Sequence, residues 1–520
     1  MSGIKLPRSS PEAQGVSSAA ILSFLKRAGE EKHEMHSFML LKSGCVISEC
    51  WWRPYAPTVR HQLFSLSKSF TSIGVGMAAD DGLLTTDTLV ADIFKDEMGE
   101  LSAGVDEKIK KMSVKNLLTM GTGMGYENWQ FEGEKPNNIK AFLSSHIKNE
   151  PGSAFFYHTQ ATYMLSAIVT RLTGKKLVDF LKPRLFDPLG IDPVWEEDNL
   201  GVNFGGFGLN ITTEDIAKFG QFILQKGVWD GKRLVSEKWI DEATSKQISN
   251  GDDPGSDWAQ GYGYQFWRCV PDGVFRGDGA FGQYCIVMPE CECVIAITSN
   301  VDMQKLLRLI WADLLPALNA AEKPQTPEQN EKPQTPEPIA NPQTPAPIVK
   351  QTPEQIAKPQ MSADGAAQDL AAYCAGLSHL AVNADAQAYP TFRGRYFPKS
   401  AVPDRLEPLK GAVDVCFENG ECTLALFADK RKAASIIWNF RHGEWTFGVA
   451  PHFNTEGYFN KSCAYGEWAE NTFSASVWYY ETPMKHNISL SFNEDRTELS
   501  VKIELFGFGA ETLVLEFTNN

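Results

Sequence analysis

The chain has 520 residues, more than one hydrophobic core usually serves, so we expect at least two folded units. Hydrophobic residues make up 43% of the chain and charged residues 22%, values typical of globular proteins, and no apolar run is long enough to predict a membrane-spanning helix. The formal net charge of -15 disfavours nucleic acid and anionic membrane surfaces as partners.

The first residues, from Met1 to Pro11, lack the basic and apolar regions of a signal peptide, which predicts a cytoplasmic protein. Ten cysteines in a chain of this length are too sparse for a disulfide scaffold. Cys291 and Cys293 form a close pair, but no histidine or second cysteine pair follows at zinc spacing. We therefore predict neither a metal site nor a cofactor.

Strand and helix patterns alternate through the first 320 residues. Apolar and turn residues predict two strands joined at Ser43 and Gly44, then helices, then further strands. The predicted helices span 65–79 and 161–172, and the predicted later strands span 261–266, 274–275 and 283–298. This order predicts an α+β domain at 1–320, in which helices flank an antiparallel sheet.

A Pro-Gln-Thr-Pro repeat marks the boundary of the second unit. Residues 321–361 are rich in Pro, Gln, Thr and Glu, which predicts an extended linker, with a proline-rich docking motif as the alternative. Residues 362–520 begin with a short predicted helix at 366–377 and continue with about eight strands. They predict an antiparallel β domain, either a sandwich or a barrel of lipocalin-like form, whose tryptophans line a cavity or fill the core.

The strongest chemical signal is Phe64-Ser65-Leu66-Ser67-Lys68, at the start of an apolar helix. Ser65 and Lys68 are three residues apart and share a helix face. A desolvated lysine can take the proton of a serine hydroxyl, which turns the serine into a nucleophile. An N-cap serine beside a solvated lysine is the structural alternative, but the apolar helix disfavours a solvated position.

Two further segments carry candidate chemistry. Tyr157 precedes an apolar helix, and a phenol beside a lysine ammonium has a lowered pKa and could shuttle a proton. The run from Arg276 to Gln283 is glycine-rich but leads into a strand, which excludes a dinucleotide-binding loop. A glycine-rich strand beside a nucleophile can instead present a backbone N–H to an oxyanion.

These segments resemble the motifs of the penicillin-recognising serine hydrolases, a family that includes class C β-lactamases, D-alanyl-D-alanine carboxypeptidases, esterases, D-aminopeptidases and 6-aminohexanoate-dimer hydrolase. The resemblance covers about residues 7–315 and matches Ser-x-x-Lys at Ser65 and Lys68, Tyr-x-Asn at Tyr157 and Thr159, and Lys/His-x-Gly at Gly277 and Gly279. It implies a β-lactamase/transpeptidase-like fold.

The resemblance also implies roles for individual residues. Ser65, Lys68 and Tyr157 are the implied catalytic residues, and the Ala280 N–H joins the Ser65 N–H in an oxyanion hole. The implied substrate-binding positions are Gly277, Asp278, Gly279, Thr159, Tyr126 and Trp129. Thr159 replaces the family's Asn and Gly277 replaces its cationic residue, which favours the esterase and amidase branch over β-lactam hydrolysis.

The leading hypothesis is therefore a serine hydrolase that acylates Ser65 with a small ester, amide or D-amino-acid peptide. A non-catalytic binding protein for a peptidoglycan fragment or metabolite is one alternative. An acyltransferase that uses the same residues is another, and the sequence leaves the oligomeric state open. If Asp278 faces the cleft and Arg276 does not, a substrate ammonium is favoured over a free carboxylate.

Overall fold

The structure is a computed structural model that describes most of both predicted units. The described residues are 5–101, 105–131, 136–321, 363–377, 389–429, 432–441, 444–449, 461–506 and 511–519. The predicted linker at 321–361 lies outside them, apart from Ala321.

The first domain is built on a central antiparallel sheet. Its strands and the neighbouring short strands are β1 Glu34–Lys42, β2 Cys45–Trp51, β3 His61–Gln62, β4 Val194–Trp195, β5 Leu209–Ile211, β6 Val228–Trp229, β7 Lys232–Arg233, β8 Trp267–Arg268, β9 Phe275–Gly279, β10 Gln283–Met288 and β11 Cys293–Asn300. The central sheet has the order β2-β1-β11-β10-β9-β8, whereas β3, β5 and β4 form a small separate sheet.

Helices cover both faces of the central sheet. They are α1 Ser18–Glu30, α2 Ser67–Asp80, α3 Val90–Ile93, α4 Lys95–Leu101, α5 Val114–Leu118, α6 Asn138–Leu143, α7 Thr159–Thr173, α8 Leu177–Leu181, α9 Asp187–Leu189, α10 Thr213–Leu224, α11 Glu237–Thr244, α12 Met303–Leu309, α13 Leu315–Asn319 and α14 Ala363–Gly376. Side chains of β1 alternate between the two cores: Met39 packs with α2 and α10, and Phe38 packs with α1. The predicted α+β architecture is confirmed.

The second domain is a nearly closed antiparallel barrel. Its strands are β12 Phe392–Pro398, β13 Ala412–Glu418, β14 Glu421–Phe427, β15 Ile436–Arg441, β16 Thr446–Val449, β17 Lys461–Ala469, β18 Thr472–Trp478, β19 Lys485–Phe492, β20 Glu498–Phe506 and β21 Glu511–Thr518. β15 and β16 end the hydrogen-bonded order yet lie beside each other, which nearly closes the sheet. Trp438 and Trp468 fill the core.

Helix α14 packs differently from the sequence prediction. We expected it to open the second domain, but it lies on α1 of the first domain. Leu370 is buried in the core that contains α1, and the Tyr373 hydroxyl donates to the Leu25 carbonyl at 3.3 Å. The packing boundary between the domains therefore follows α14 and not residue 362.

The two domains meet at the loop between β18 and β19. Glu481 O accepts a hydrogen bond from the Gln62 N–H at 2.8 Å, and Thr482 O accepts one from the Tyr55 hydroxyl at 3.1 Å. Lys485 forms an ion pair with Glu34 at 2.6 Å. Because Gln62 lies three residues before Ser65, this loop borders the segment that carries the predicted nucleophile.

The predicted strand at 261–266 does not form. Gly261 has a φ of 113° and Gln265 a φ of 68°, and neither value fits an extended strand. Tyr262 instead makes isolated bridges to Ile248 and Trp267, so β8 begins at Trp267. Across the part of the chain that the structure describes, no helix is both long and apolar enough to cross a membrane.

Candidate active site

The predicted nucleophile lies in a short 3-10 turn, Phe64–Leu66, which leads directly into α2. Phe64 has a φ of 48°, a left-handed conformation that is uncommon for a residue other than glycine. The Ser67 hydroxyl donates to the Phe64 carbonyl at 2.6 Å and fixes this turn. Ser65 itself is half-buried, so the residue remains partly open to solvent.

Lys68 lies one helical turn after Ser65 and is almost fully buried. Its Nζ donates to Ser65 Oγ at 2.9 Å, to Gly206 O at 2.8 Å and to Thr159 Oγ1 at 3.4 Å. Burial lowers the pKa of the Lys68 ammonium to about 7, against the raising influence of the Glu127 and Asp278 carboxylates. Lys68 is therefore neutral in a large fraction of molecules at neutral pH and able to accept a proton.

Tyr157 completes the predicted catalytic group, with a pKa that differs from the prediction. Its ring lies over Lys68, with the Nζ 4.9 Å from the ring centroid. We expected the ammonium to lower the phenol pKa. Burial, assisted by Asp278, instead raises the pKa of Tyr157 above its usual value, so the hydroxyl stays protonated and serves as a donor.

Strand β9 lies against the turn that carries Ser65 because two of its residues lack side chains. A Cβ on Gly279 would lie 2.0 Å from the Leu63 carbonyl oxygen, and one on Gly277 would lie 2.5 Å from Ser69 Oγ. Real side chains cannot occupy these positions without displacing the turn. The two glycines thus set the distance between the strand and the nucleophile.

Arg276 and Asp278 neutralise each other in the interior. Their side chains form an ion pair at 2.8 Å and are 0% and 3% exposed. Arg276 also donates to Asp257 O at 3.1 Å. The expectation that Asp278 offers a free negative charge to a substrate is therefore wrong, because Arg276 already compensates it. Arg276, being enclosed, does not replace the missing cation at Gly277 either.

Ala280 occupies the turn between β9 and β10, next to the nucleophile segment. Gln283 Nε2 donates to the Ala280 carbonyl at 2.8 Å, and the Phe281 ring contacts the Phe64 ring with centroids 5.4 Å apart. These contacts hold the turn beside the residue that precedes Ser65. The predicted oxyanion role of the Ala280 N–H remains a prediction.

Thr159 is the first residue of α7 and contacts both Lys68 and a carboxylate that the sequence analysis missed. Its backbone N–H donates to Glu127 Oε1 at 2.5 Å, and the indole N–H of Trp129 donates to Glu127 Oε2. Trp129 thus lies beside Glu127 and Thr159, and its substrate-binding role stays a prediction. The Tyr126 hydroxyl instead accepts from the backbone N–H of His146 at 2.9 Å, outside this group.

The missed residues, Glu127 and Gly206, carried only weak sequence signals. Glu127 stands between the two predicted binding residues Tyr126 and Trp129, but nothing local indicates that its carboxylate reaches α7. Gly206 is one glycine in a run of several, and its carbonyl meets Lys68 only through tertiary packing. Among the described residues, no group of three or more His, Cys, Asp and Glu side chains is arranged to hold a metal ion.

Known proteins are similar to this chain in sequence and in fold. A family model described as Beta-lactamase matches residues 29–315. The chain is 26% identical over 290 residues to the 6-aminohexanoate-dimer hydrolase of Paenarthrobacter ureafaciens, which covers 51% of this chain and 72% of that protein. It is 28% identical over 165 residues to the lovastatin esterase of Penicillium rubens, over 26% of this chain and 40% of that protein.

A solved structure agrees with the fold. It is a provisionally named 6-aminohexanoate-dimer hydrolase from Bacillus anthracis, 19% identical, with a TM-score of 0.50 over 60% of this chain and 87% of that one. The matched family model spans more than half of the 520 residues and includes Ser65, Lys68, Tyr157 and Gly279. The chain is thus a serine hydrolase that belongs to the beta-lactamase family.

Proposed function

We propose that Ser65 forms an acyl-enzyme with a small ester, amide or D-amino-acid peptide. The observation that carries this proposal is the 2.9 Å contact between Ser65 Oγ and Lys68 Nζ. It places the nucleophile beside a buried amine whose pKa burial lowers to about 7. A base with a pKa near the working pH combines a useful neutral fraction with enough basicity to accept the proton.

In the acylation step, Lys68 takes the proton of Ser65 while Oγ attacks the substrate carbonyl carbon. The carbonyl oxygen becomes an oxyanion, for which the Ser65 and Ala280 N–H groups are the proposed donors. Tyr157 remains protonated because burial raises its pKa. It gives its proton to the leaving oxygen or nitrogen and regains one from the Lys68 ammonium, so the proton count balances.

In the second step, water or another acceptor attacks the ester formed on Ser65. Lys68, neutral again, takes a proton from that acceptor, and the released Ser65 oxygen regains its proton through Tyr157 or Lys68. The same residues serve hydrolysis and acyl transfer, so the acceptor decides the product. The relatives' names, a hydrolase of a 6-aminohexanoate dimer and a lovastatin esterase, support a small-molecule substrate.

Covalent labelling tests the proposal. A fluorophosphonate probe should add one adduct per chain, and peptide mass spectrometry should place it on Ser65. Ser65→Ala should abolish both labelling and hydrolysis of p-nitrophenyl esters. Ser72→Ala is the matched control, because Ser72 lies in the same segment, buried and without a hydrogen-bond partner for its hydroxyl. Full activity of Ser65→Ala would refute the proposal.

A further inference from the structure

One carboxylate at the active site, that of Glu127, forms no ion pair within the part of the chain that the structure describes. Glu127 is an exposed residue whose two oxygens accept from the Thr159 N–H and the Trp129 indole. Among the described residues, no Lys, Arg or His forms an ion pair with it. Asp278, in contrast, is enclosed and paired with Arg276. The negative charge available to a substrate therefore belongs to Glu127.

Glu127 lies close to the reacting groups through a short chain of contacts. Its oxygen binds the backbone of Thr159, whose hydroxyl is 3.4 Å from Lys68 Nζ, and Lys68 contacts Ser65 at 2.9 Å. The influence of Glu127 on the pKa of Lys68 reflects the same proximity. A carboxylate has about four lone-pair positions and Glu127 uses two, so it retains acceptor capacity for a ligand.

Aromatic rings border this carboxylate. Trp129 lies parallel to Phe131 at 5.4 Å and meets Phe204 and Phe207 edge-on at 6.3 and 6.1 Å. We call these four residues the aromatic wall. Phe131 is 61% exposed, so the wall offers a ring surface to solvent. Phe204 and Phe207 flank Gly206, whose carbonyl binds Lys68, which places the wall beside the catalytic lysine.

We infer that Glu127 and the aromatic wall form a subsite that selects substrates bearing an ammonium group on an apolar body. The carboxylate accepts a charge-assisted hydrogen bond from the ammonium, and the ring faces attract the same cation and cover the apolar part. A free carboxylate beside the scissile bond is repelled. This inference rests on the proposed function and narrows its substrate class.

Binding of two matched small probes to the full chain tests the subsite without turnover. 2-Phenylethylammonium carries the charge, whereas 2-phenylethanol replaces it with a hydroxyl of similar size. Isothermal titration calorimetry should give an affinity for the amine about ten- to a hundredfold higher, the range of a charge-assisted hydrogen bond. Equal affinities, or no binding of the amine at about 10 mM, would overturn the inference.

Variants separate the charge from the rings. Glu127→Gln should bring the affinity ratio close to one, while Phe131→Ala should weaken both probes. Glu237→Gln removes an exposed carboxylate on α11 and is the control for net charge. An amine preference that survives in a folded Glu127→Gln would show that Glu127 is only a structural anchor for α7.

The outcomes distinguish this inference from the proposed function. Ser65 labelling and ester hydrolysis without an amine preference would refute the subsite and leave the acyl-enzyme intact. Amine binding that depends on Glu127, together with hydrolysis that survives in Ser65→Ala, would refute the acyl-enzyme on Ser65 and leave the subsite intact. Hydrolysis of D-phenylalanine 4-nitroanilide should exceed that of its des-amino analogue in the parent, and Glu127→Gln should reduce this difference.

Discussion

At the scale of single residues, Lys68 and Tyr157 have pKa values displaced in opposite directions by burial. Burial disfavours the charged form of each, which is the ammonium of Lys68 and the phenolate of Tyr157. Lys68 therefore loses its proton more easily and Tyr157 holds its proton more firmly. This separation supports the proposed roles of Lys68 as the base and Tyr157 as the acid.

The pH dependence of acylation follows from this assignment. Lys68 acts as a base only when neutral, and burial lowers its pKa to about 7. The value of kcat/KM on a neutral p-nitrophenyl ester should therefore fall about tenfold per pH unit below about pH 7 and level off above it. A stopped-flow or steady-state pH series checks this. A profile that stays flat down to about pH 5 would remove Lys68 as the base.

Lys68→Arg tests the same assignment without a change of charge sign. Arginine stays protonated at every accessible pH, so acylation should fall by a factor on the order of 10² to 10⁴. Ser65 labelling rates provide the measurement, and the unfolding temperature shows whether the variant is folded. Retention of most of the activity by the folded variant would make Lys68 a structural residue.

Local spacing was enough to predict the pairing of Ser65 and Lys68, since residues three apart share a helix face. It was not enough for the pKa of Tyr157, which depends on how deeply distant segments bury the ring. Glu127 was missed for a similar reason. Its contact with Thr159 joins residues 32 positions apart, and only the packing of the intervening helix α6 and its loops brings them together.

At the scale of elements, β9 sets the distance between the central sheet and the turn that carries Ser65. Its glycines allow the strand backbone to lie directly on the turn before α2. The sequence predicted a glycine-rich strand here but not the side on which Arg276 and Asp278 lie. That orientation depends on the register with β8, where Trp267 pairs with Arg276. A shift of one residue would reverse it.

Gly279→Ala should disable the site by displacing the turn. The new Cβ would lie 2.0 Å from the Leu63 carbonyl, so the strand and the turn must separate. Overpacking of this kind costs about 1 to 3 kcal/mol, and a shift of about 1 Å at a nucleophile costs about a hundredfold in rate. Thermal unfolding and kcat/KM on an ester give the two readouts.

Gly99→Ala is the matched control for this substitution. Gly99 lies within α4, and an added Cβ meets nothing within 4 Å. Alanine there should stabilise the helix by up to about 1 kcal/mol without affecting activity. Full activity of Gly279→Ala would mean that the strand moves freely and does not set the geometry of the nucleophile.

At the scale of the whole molecule, the two domains are joined by more than the linker. Helix α14 packs on α1, and the loop between β18 and β19 binds β3 and the segment before it. The composition of 321–361 predicted a linker, but the docking of α14 and of the β18–β19 loop was not predictable. This docking depends on complementary surfaces from distant parts of the sequence. Gln62 and Glu481, for example, are 419 positions apart.

Limited proteolysis should cut the chain between the two domains, and the domains should stay bound to each other. Cleavage within 321–361 gives fragments of about 1–320 and 362–520, as the linker composition predicts. We expect both fragments to co-elute in gel filtration, because α14 and the β18–β19 loop hold them together. Denaturant should release them. Leu370→Asp, which charges the buried face of α14, should loosen the complex, whereas a nicked parent chain that falls apart would contradict the observed docking.

The histidine pair beneath the docked loop should make the protein acid-sensitive. His36 Nδ1 and His61 Nε2 are 3.1 Å apart, and His36 stacks on Tyr55 at 3.9 Å. Burial lowers the pKa of His61 to about 3 and also lowers that of His36. His61 therefore stays neutral in the folded protein down to about pH 3, whereas the same histidine in the unfolded chain takes up a proton below about pH 6.5.

Since the unfolded state binds more protons below this pH, stability is lost as the pH falls. For His61 the loss is about 2 kcal/mol between about pH 6.5 and about pH 5, so the unfolding temperature should fall by a few degrees. His61→Leu should flatten the dependence of the unfolding temperature on pH, although this variant should be less stable than the parent at neutral pH. Equal slopes in the parent and in His61→Leu would exclude the buried histidine as the cause.

The hydrogen bond between Gln62 and Glu481 also has a consequence for biosynthesis. A ribosome synthesises Gln62, in β3, 419 residues before it reaches Glu481. At about 5 to 20 residues per second, this delay is roughly 20 to 80 seconds. During that interval the nascent first domain carries Ser65 beside a strand that lacks one of its backbone partners. The segment that carries Ser65 thus acquires this neighbour only after β18 of the second domain has been made, so its backbone contacts cannot be completed by the first domain alone.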